Sequence, residues 1–206
     1  YVFLTGWGVM NQVAIKEAAA IRFPMDHFIG NWWSGAEPDV LPAGKTAIGY
    51  IAATFNQPGA GTQAHADIVK HVYGGDAAAA KKGQIGQVLY NRGIINAIYD
   101  TEAVRTAMGK YGNKAMSGEQ VRWGLENLNL TEARLGELGV KGFMGPISVS
   151  CKDHEGGGKV MFQQWSGTEW KIVKGWTDTM QDVIRPMIEE AAAAYAKENK
   201  ITPRAC

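Results

Sequence analysis

The sequence predicts an α/β fold, and three stretches of it support that prediction. Residues 1–35 contain a short apolar strand, a glycine turn, a helix and a second short apolar strand, which together make a βαβ unit. Residues 62–138 contain several amphipathic helical patterns with no sheet of their own to cover. Residues 160–173 have the pattern of a hairpin. We therefore expect a sheet covered by helices, part of it formed by residues outside this chain.

The βαβ unit places two loops at one edge of the predicted sheet. The first strand covers Tyr1–Leu4 and ends at Gly6-Trp7-Gly8. A helix is predicted over Val9–Phe23 because apolar residues recur there at helical spacing, and Pro24 stops it. The second strand covers His27–Gly30. Ligands of open α/β sheets bind beyond the carboxyl ends of the strands, so the two loops are candidate binding loops.

Turn residues and helix caps delimit the elements of the middle region. A strand is predicted over Lys45–Phe55, and the Asn56-Gln57-Pro58-Gly59 stretch that follows it is a candidate hinge. Thr62 is a candidate N-cap of a helix, and a long helical pattern runs from Gln84 to Met108. No strand is predicted between residues 62 and 138.

The remaining elements alternate between helix and strand. They are a helix with a Ser117–Gln120 capping box, a short helix capped by Thr131, extended segments over Ile147–Ser150, Val160–Trp165 and Trp170–Val173, and a long helix over Asp178–Lys200. Pro186 falls inside the last helix, which predicts a kink or a position in an early turn.

Composition excludes several classes of function. The chain has 206 residues, of which 46% are hydrophobic, and a net charge of +1 with no basic cluster, which argues against nucleic acid as a partner. No apolar stretch approaches the roughly 20 residues of a membrane span. Tyr1 opens inside a strand pattern, so we expect this chain to be the C-terminal part of a longer protein.

The two cysteines, Cys151 and Cys206, are candidates for a disulfide. Cys206 is the last residue of a polar tail, which is an unusual place for a free buried thiol. A bond to Cys151 would pin the tail and contribute on the order of 4 kcal/mol in the chain-entropy model. Such a bond implies an oxidising compartment, for example a periplasm. Two unrelated reduced thiols are the alternative.

No pattern indicates a catalytic, metal or cofactor site. The four histidines lack the spacing of metal ligands, and we expect them to be surface or capping residues. Asp153-His154-Glu155 is a candidate acid/base cluster, but no nucleophile motif accompanies it, and a polar turn is the simpler interpretation. Gly6-Trp7-Gly8 lacks the spacing of a dinucleotide-binding turn. We therefore expect neither an enzyme nor a bound cofactor.

Tryptophans at the strand ends are the best candidates for ligand contact. Trp7, Trp32 and Trp33 lie in the loops after the two strands, where large flat rings suit a small, partly apolar molecule. Tyr90, Asn91 and Arg92 interrupt an apolar helix with polar groups that could face a cleft, and for Tyr90 or Asn91 a ligand or hinge contact is an alternative to a surface or helix-packing role. The other four tryptophans are predicted to pack in the core: Trp123, Trp165, Trp170 and Trp176.

The order of these features resembles a known family. After the Trp/Gly loops come, in order, Thr46-Ala47-Ile48-Gly49-Tyr50, the Pro-Gly crossover, Val88-Leu89-Tyr90-Asn91, Gly142-Phe143-Met144-Gly145-Pro146-Ile147-Ser148, Asp153-His154-Glu155-Gly156, the Trp165-to-Trp170 hairpin and the Thr202–Cys206 tail. This order is similar to the C-terminal portion of a branched-chain amino acid-type periplasmic substrate-binding protein of an ABC transporter, which has the two-lobe type I fold.

The resemblance implies an architecture and a site. Residues 1–57 would belong to lobe 2, residues 58–157 would supply the C-terminal helices of lobe 1, and residues 158–206 would return to lobe 2. The first half of lobe 1 would lie outside the chain. Carried over by position, the ligand-binding residues are Trp7 and Gly8 in the first loop and Asn31, Trp32 and Trp33 in the second.

The resemblance also implies a periplasmic protein that delivers a small molecule to membrane permease subunits. Relatives that bind α-amino acids commonly place a carboxylate in the second loop, where this chain has Trp32 or Trp33 and Glu37 is the nearest acid. A buried ammonium without a counter-charge is costly, so an aromatic or other hydrophobic carboxylate, or an amide, is the expected ligand. A ligand-sensing domain with the same fold is the first alternative, and an α/β enzyme is the second.

Overall fold

The central element is a five-stranded mixed sheet. The computed structural model describes residues 1–206. The strands of this sheet are β1 (Val2–Leu4), β2 (Phe28–Gly30), β3 (Ile51–Thr54), β6 (Val160–Trp165) and β7 (Trp170–Thr177). The β1–β2 and β2–β3 pairs are parallel, whereas β3–β6 and β6–β7 are antiparallel. The hairpin of the last two strands therefore closes a sheet that the βαβ unit begins.

Helices flank this sheet and form a separate layer between β3 and β6. They are α1 (Val9–Ala20), α2 (Glu37–Val40), α3 (Gln63–His71), α4 (Ala77–Lys82), α5 (Val88–Tyr111), α6 (Gly118–Leu125), α7 (Glu132–Glu137) and α8 (Gln181–Glu198). A second small sheet pairs β4 (Asn129–Leu130) with β5 (Ile147–Ser148). None of the helices combines the length and apolarity needed to cross a bilayer.

Two separate hydrophobic cores correspond to these two layers. The first lies under the large sheet and includes Ile15, Val40 and Tyr50, each fully buried. The Tyr50 hydroxyl donates to the Ser34 carbonyl oxygen at 2.8 Å, which satisfies a polar group that would otherwise be costly to bury. The second core lies among the helices and includes Leu135 and Phe143. Each layer therefore has apolar packing of its own.

The structure confirms the predicted βαβ unit and the three predicted helix caps. Val2 pairs with Phe28 in parallel register, with α1 as the crossover. The Thr62 side chain caps α3, and Thr131 caps α7. The Ser117–Gln120 capping box is present at the start of α6. These short-range signals were sufficient because each acts within three residues of the helix that it begins.

Two predicted strand assignments are wrong. The strand predicted over Lys45–Phe55 begins only at Ile51, because the chain before it forms a 3₁₀ segment over Leu41–Ala47. Gly44 in that segment has a φ of 59°, a left-handed conformation that favours glycine. The region predicted to lack strands contains β4, which is only two residues long and pairs with β5. A strand this short leaves no periodicity to detect.

The C-terminal tail is attached to the helical layer at two points. Cys151 and Cys206 form a disulfide with a Cα–Cα distance of 5.5 Å across 55 residues of sequence. Two residues earlier, Arg204 donates both of its terminal nitrogens to the Glu126 carboxylate at 2.7 and 2.8 Å. The tail therefore lies against the C-terminal end of α6 and does not extend freely from α8.

Because of the Glu126 ion pair, the free energy of unfolding should depend on pH in the acid range. Arg204, and to a lesser extent Arg122 and His154, lower the pKa of Glu126 to about 2. A carboxylate with a depressed pKa stabilises the folded state at neutral pH, and this contribution is lost as the pH falls through the folded-state value. The Glu126→Gln variant should therefore be less stable than wild type at neutral pH, and the difference should shrink between about pH 4.5 and pH 2.

Chemical denaturation at several pH values measures this difference. Adding Arg204→Gln to Glu126→Gln should cost little more, because the two side chains form one interaction. A stability gap that stays constant from neutral pH to pH 2 would contradict the assignment.

Candidate ligand-binding cleft

A cleft with a volume of about 570 Å³ opens between the sheet and the helical layer. This volume falls within the range of small-molecule sites. Half of its 18 lining residues are hydrophobic. The lining consists of Trp32, Trp33, Phe55, Asn56, Leu89, Arg92, Gly93, Ile95, Asn96, Tyr99, Met144, Gly145, Pro146, Ile147, Glu155, Gly158, Lys159 and Trp176.

The loop after β2 forms an aromatic wall of this cleft. Trp32 and Trp33 lie in a 3₁₀ turn whose N-cap is Asn31, and the Asn31 side chain accepts the Trp33 N–H at 2.9 Å. The Trp32 ring lies 6.3 Å from the Trp33 ring and 5.4 Å from the Phe55 ring, centroid to centroid. Trp32 stays 39% exposed, so its face is available to a ligand. Asn31 therefore orients the two indoles through the backbone of their turn.

Trp176 completes the aromatic lining from the other end of the chain. The sequence-based expectation that it packs in the core is wrong, since it is 36% exposed and lines the cleft. A Cβ added at Gly145 would lie 3.8 Å from the Trp176 ring, so the indole lies over the glycine backbone. Trp165 and Trp170 are buried as predicted. Trp176 differs because it lies at the far end of β7, beyond the core.

One face of α5 forms the opposite wall. Leu89, Arg92, Asn96 and Tyr99 follow a spacing of three and four residues, which puts them on one side of a helix. Sequence reasoning missed this face because it selected the neighbouring polar residues. The regular spacing around Arg92 was the signal that would have found it.

Asn91, one of the selected residues, lies inside the protein and away from the cleft. It is fully buried, and its amide nitrogen donates to the Gly59 carbonyl oxygen at 2.9 Å. Its side-chain oxygen is 2.9 Å from the Nε2 atom of His65, which is buried and whose Nδ1 atom lies 2.7 Å from the hydroxyl of the N-cap residue Thr62. Asn91 therefore attaches the crossover after β3 to α5.

The other sequence-selected residues lie around the cleft without lining it. Tyr90 is outside the lining, and its pKa is raised by burial and by the neighbouring Tyr73. Trp7 is 69% exposed and Gly8 is also exposed, and neither lines the cleft. The first loop does contact the second, because Ser34 donates to the Gly6 carbonyl oxygen at 2.9 Å. The structure thus brings the two predicted loops together but places only the second at the cleft.

Arg92 is one of the two cations that line the cleft, the other being Lys159. Burial lowers the pKa of its guanidinium, while Asp39 and Glu37 oppose that effect. Burial also raises the pKa of both acids. Arg92 donates to the Trp32 carbonyl oxygen, which ties α5 to the aromatic wall. The guanidinium is therefore a fixed, partly desolvated positive group, which suits an anionic or carbonyl oxygen of a ligand.

Glu37 is the acid nearest to the second loop in the sequence, but its side chain does not line the cleft. Its carboxylate accepts the Val88 N–H at 3.0 Å, at the first turn of α5. A carboxylate at this position satisfies an unpaired donor and complements the helix dipole. The acid that lines the cleft is Glu155, more than a hundred residues along the chain.

Glu155 and Lys159 bring opposite charges to the rim of the cleft. Both belong to the loop over residues 149–159, between β5 and β6. The Asp153 carboxylate accepts the Glu155 N–H at 3.0 Å, so the predicted polar turn is present. Lys159 also pairs with Asp178 at 2.9 Å. The structure contains no group of three or more acidic, histidine or cysteine side chains placed to hold a metal ion.

A sheet and a helical layer that meet at an aromatic, charged cleft are typical of proteins that enclose a small molecule between two parts. Over residues 1–169 the sequence matches the family described as periplasmic binding protein. The chain belongs to this family, and its mixed α/β fold is the type I fold of ABC-transporter binding proteins of the branched-chain amino acid type. Members of the family bind small-molecule solutes outside the cytoplasm and work with ABC transporters.

Solved structures support the same assignment. The chain is 42% identical to a Pseudomonas fluorescens group protein described as an ABC transporter permease, with a TM-score of 0.91 over 100% of this chain and 50% of the other. A Thermus thermophilus branched-chain amino acid ABC transporter protein with bound valine is 20% identical, with a TM-score of 0.58 over 84% of this chain and 44% of the other. An R. palustris solute-binding protein in complex with benzoate is 14% identical, with a TM-score of 0.54 over 86% of this chain and 44% of the other.

The chain thus spans about half of the length of these solved structures. No curated protein matches the chain at a significant level. The likenesses to the T. thermophilus and R. palustris proteins support the fold alone, and membership of the family rests on the match over residues 1–169.

The role of Asn91 leads to a prediction about stability. The Asn91→Ala variant should lower the free energy of unfolding by about 1–3 kcal/mol, because it leaves the Gly59 carbonyl oxygen and His65 without their buried partner. Thermal or chemical denaturation measures this loss. The control is Asn96→Ala, which changes the same residue type on the cleft face of α5 and should stay within about 0.5 kcal/mol of wild type. Equal stability of the two variants would contradict the structural role of Asn91.

Proposed function

We propose that this protein is the extracytoplasmic solute-binding component of an ABC uptake transporter. The observation on which the proposal depends is the cleft between the two layers, where Trp32 and Trp176 supply aromatic surface and Arg92 a fixed positive charge. The cleft contains no nucleophile–base pair, so we propose reversible binding without turnover. Family membership supports a periplasmic location and membrane permease subunits as partners.

The ligand we propose is a small hydrophobic or aromatic carboxylate, amino acid or amide. Indole and phenyl rings bury an apolar ligand body, and Arg92 is suited to a carboxylate or amide oxygen. Glu155 adds a negative group to the rim. Because it supplies a counter-charge that the second loop lacks, Glu155 makes an ammonium group acceptable, and α-amino acids stay in the proposed class.

We further propose that the cleft lies between two lobes. Residues 1–57 and 158–206 form the part that contains the large sheet, and residues 58–157 form the helical part. Asn56 and Gln57 lie where the chain passes from one part to the other, and Asn56 lines the cleft. Closure of the parts about this crossover would bring α5 toward the aromatic wall and exclude water from the ligand.

A thermal-shift screen of the full-length protein tests the function. A ligand that binds only the folded state must raise the melting temperature. We expect a clear rise with one class among branched-chain amino acids, aromatic carboxylates and amides, since a cleft of about 570 Å³ has room for each of them. The absence of a shift with every class would contradict solute binding of the proposed kind.

The aromatic wall is tested by Trp32→Ala in the full-length protein. The variant should weaken binding of a ligand found in the screen by on the order of tenfold or more, because a large apolar contact is lost. Its melting temperature should change little, since Trp32 lies at the surface of the cleft and outside the core. Isothermal calorimetry measures the affinity.

Trp7→Ala is the matched control for Trp32→Ala. It removes the same side chain from the neighbouring loop, where Trp7 is exposed and outside the lining. We expect it to bind like wild type. Unchanged affinity in Trp32→Ala, or an equal loss in both variants, would remove Trp32 from the site.

A further inference from the structure

The loop over residues 149–159, called here the rim loop, supplies three lining residues of the cleft, Glu155, Gly158 and Lys159. Glu155 is the only one of the lining residues with a carboxylate. The loop contains three consecutive glycines, Gly156 to Gly158, of which Gly156 and Gly157 have positive φ. Glycine backbone loses the most conformational freedom on ordering, so such a loop needs external contacts to hold one conformation.

Those contacts come from the C-terminal tail and from α6. The Cys151–Cys206 disulfide joins the loop to the last residue of the chain. Glu126, at the end of α6, accepts both terminal nitrogens of Arg204 and lies 3.5 Å from the Nε2 atom of His154. The tail is thus fixed by Arg204 two residues before its disulfide, and the rim loop is attached to the same carboxylate through His154.

A third set of contacts joins the rim loop to α8. Arg185 lies 3.7 Å from the Asp153 carboxylate and donates to the Lys152 carbonyl oxygen. Gln181 donates to the carboxylate of Glu155 itself. No residue of α8 is buried, so these polar contacts and the tail are what keep the helix beside the loop. The tail attachment therefore acts on Glu155 through the backbone of the rim loop, and α8 contacts Glu155 itself.

We propose that the disulfide and the Arg204–Glu126–His154 cluster together form a tail latch, which positions the rim loop so that Glu155 faces the ligand. This inference rests on the proposed function, because the cleft is taken as the ligand site. Arg204 is then a positioning residue that does not touch the ligand. Its effect passes through Glu126 and the tail to a carboxylate on the cleft.

Hydrogen exchange of the ligand-free, full-length protein tests the latch. Arg204→Gln and the double variant Cys151→Ser/Cys206→Ser should each raise amide exchange in peptides that cover residues 149–159 severalfold, because local opening becomes easier. Arg204→Lys should show an intermediate effect, since lysine keeps the charge but not the bidentate geometry.

Arg134→Gln is the matched control. Arg134 also makes a bidentate ion pair, with Glu102 at 2.7 and 2.8 Å, but this pair joins α7 to α5 away from the cleft. The control variant should lower stability without raising exchange in the rim loop. Unchanged exchange in both latch variants, or an equal rise in the control, would overturn the proposal.

Calorimetry with valine adds a functional readout. Both latch variants should bind valine about tenfold more weakly than wild type, because Glu155 is no longer held where the ammonium would lie. Wild-type affinity in both variants would overturn the positioning role. No binding of valine by the unmodified protein would contradict the amino-acid ligand of the proposed function, and the exchange measurement, which needs no ligand, would then decide the inference.

Discussion

The geometry of the cleft depends on the attachment of α5, and one buried amide makes the central contact. Asn91 binds the carbonyl oxygen of Gly59, where the chain leaves the sheet, and the imidazole of His65 on α3. An amide carries both donors and an acceptor, so it can join two backbone segments and a side chain at one point. Because Asn91 is buried in the first turn of α5, it sets the height and rotation of that helix against the crossover. The cleft face of α5 follows from that rotation.

Two charged side chains also hold α5 in place, on the side that faces the second loop. Glu37 accepts a hydrogen bond from the first turn of α5, and one turn later Arg92 donates to the carbonyl oxygen of Trp32. Both side chains are partly desolvated, and their opposite charges attract each other without a direct ion pair. The hydrogen bond from Arg92 to Trp32 therefore joins the α5 wall directly to the aromatic wall. A movement of α5 would therefore change the polar and the aromatic sides of the cleft together.

Much of the secondary structure was predictable because its signals are local. The parallel β1–β2 pair followed from two apolar runs around a helix, and the caps of α3, α6 and α7 from single residues. The candidate site was predictable only in part. Trp32 and Trp33 were found because a loop after a parallel strand is a known location for ligands, whereas Arg92 was missed by one residue. One residue on a helix is a rotation of about 100°, so a polar residue beside the correct face points elsewhere.

The sequence alone determined the α/β class, the candidate disulfide between the two cysteines and the aromatic rings at the strand ends. Each of these can be recognised from a short stretch of sequence or from the number of residues of one type. Only the tertiary structure decided which side chains meet. Glu155 and Trp176 line the same cleft as Trp32 although they lie more than 120 residues away along the chain. Conversely, Glu37 lies close in sequence but is used to begin α5. The physical reason is that contacts between distant segments depend on packing and on the rotation of whole helices, and neither leaves a pattern at a fixed spacing.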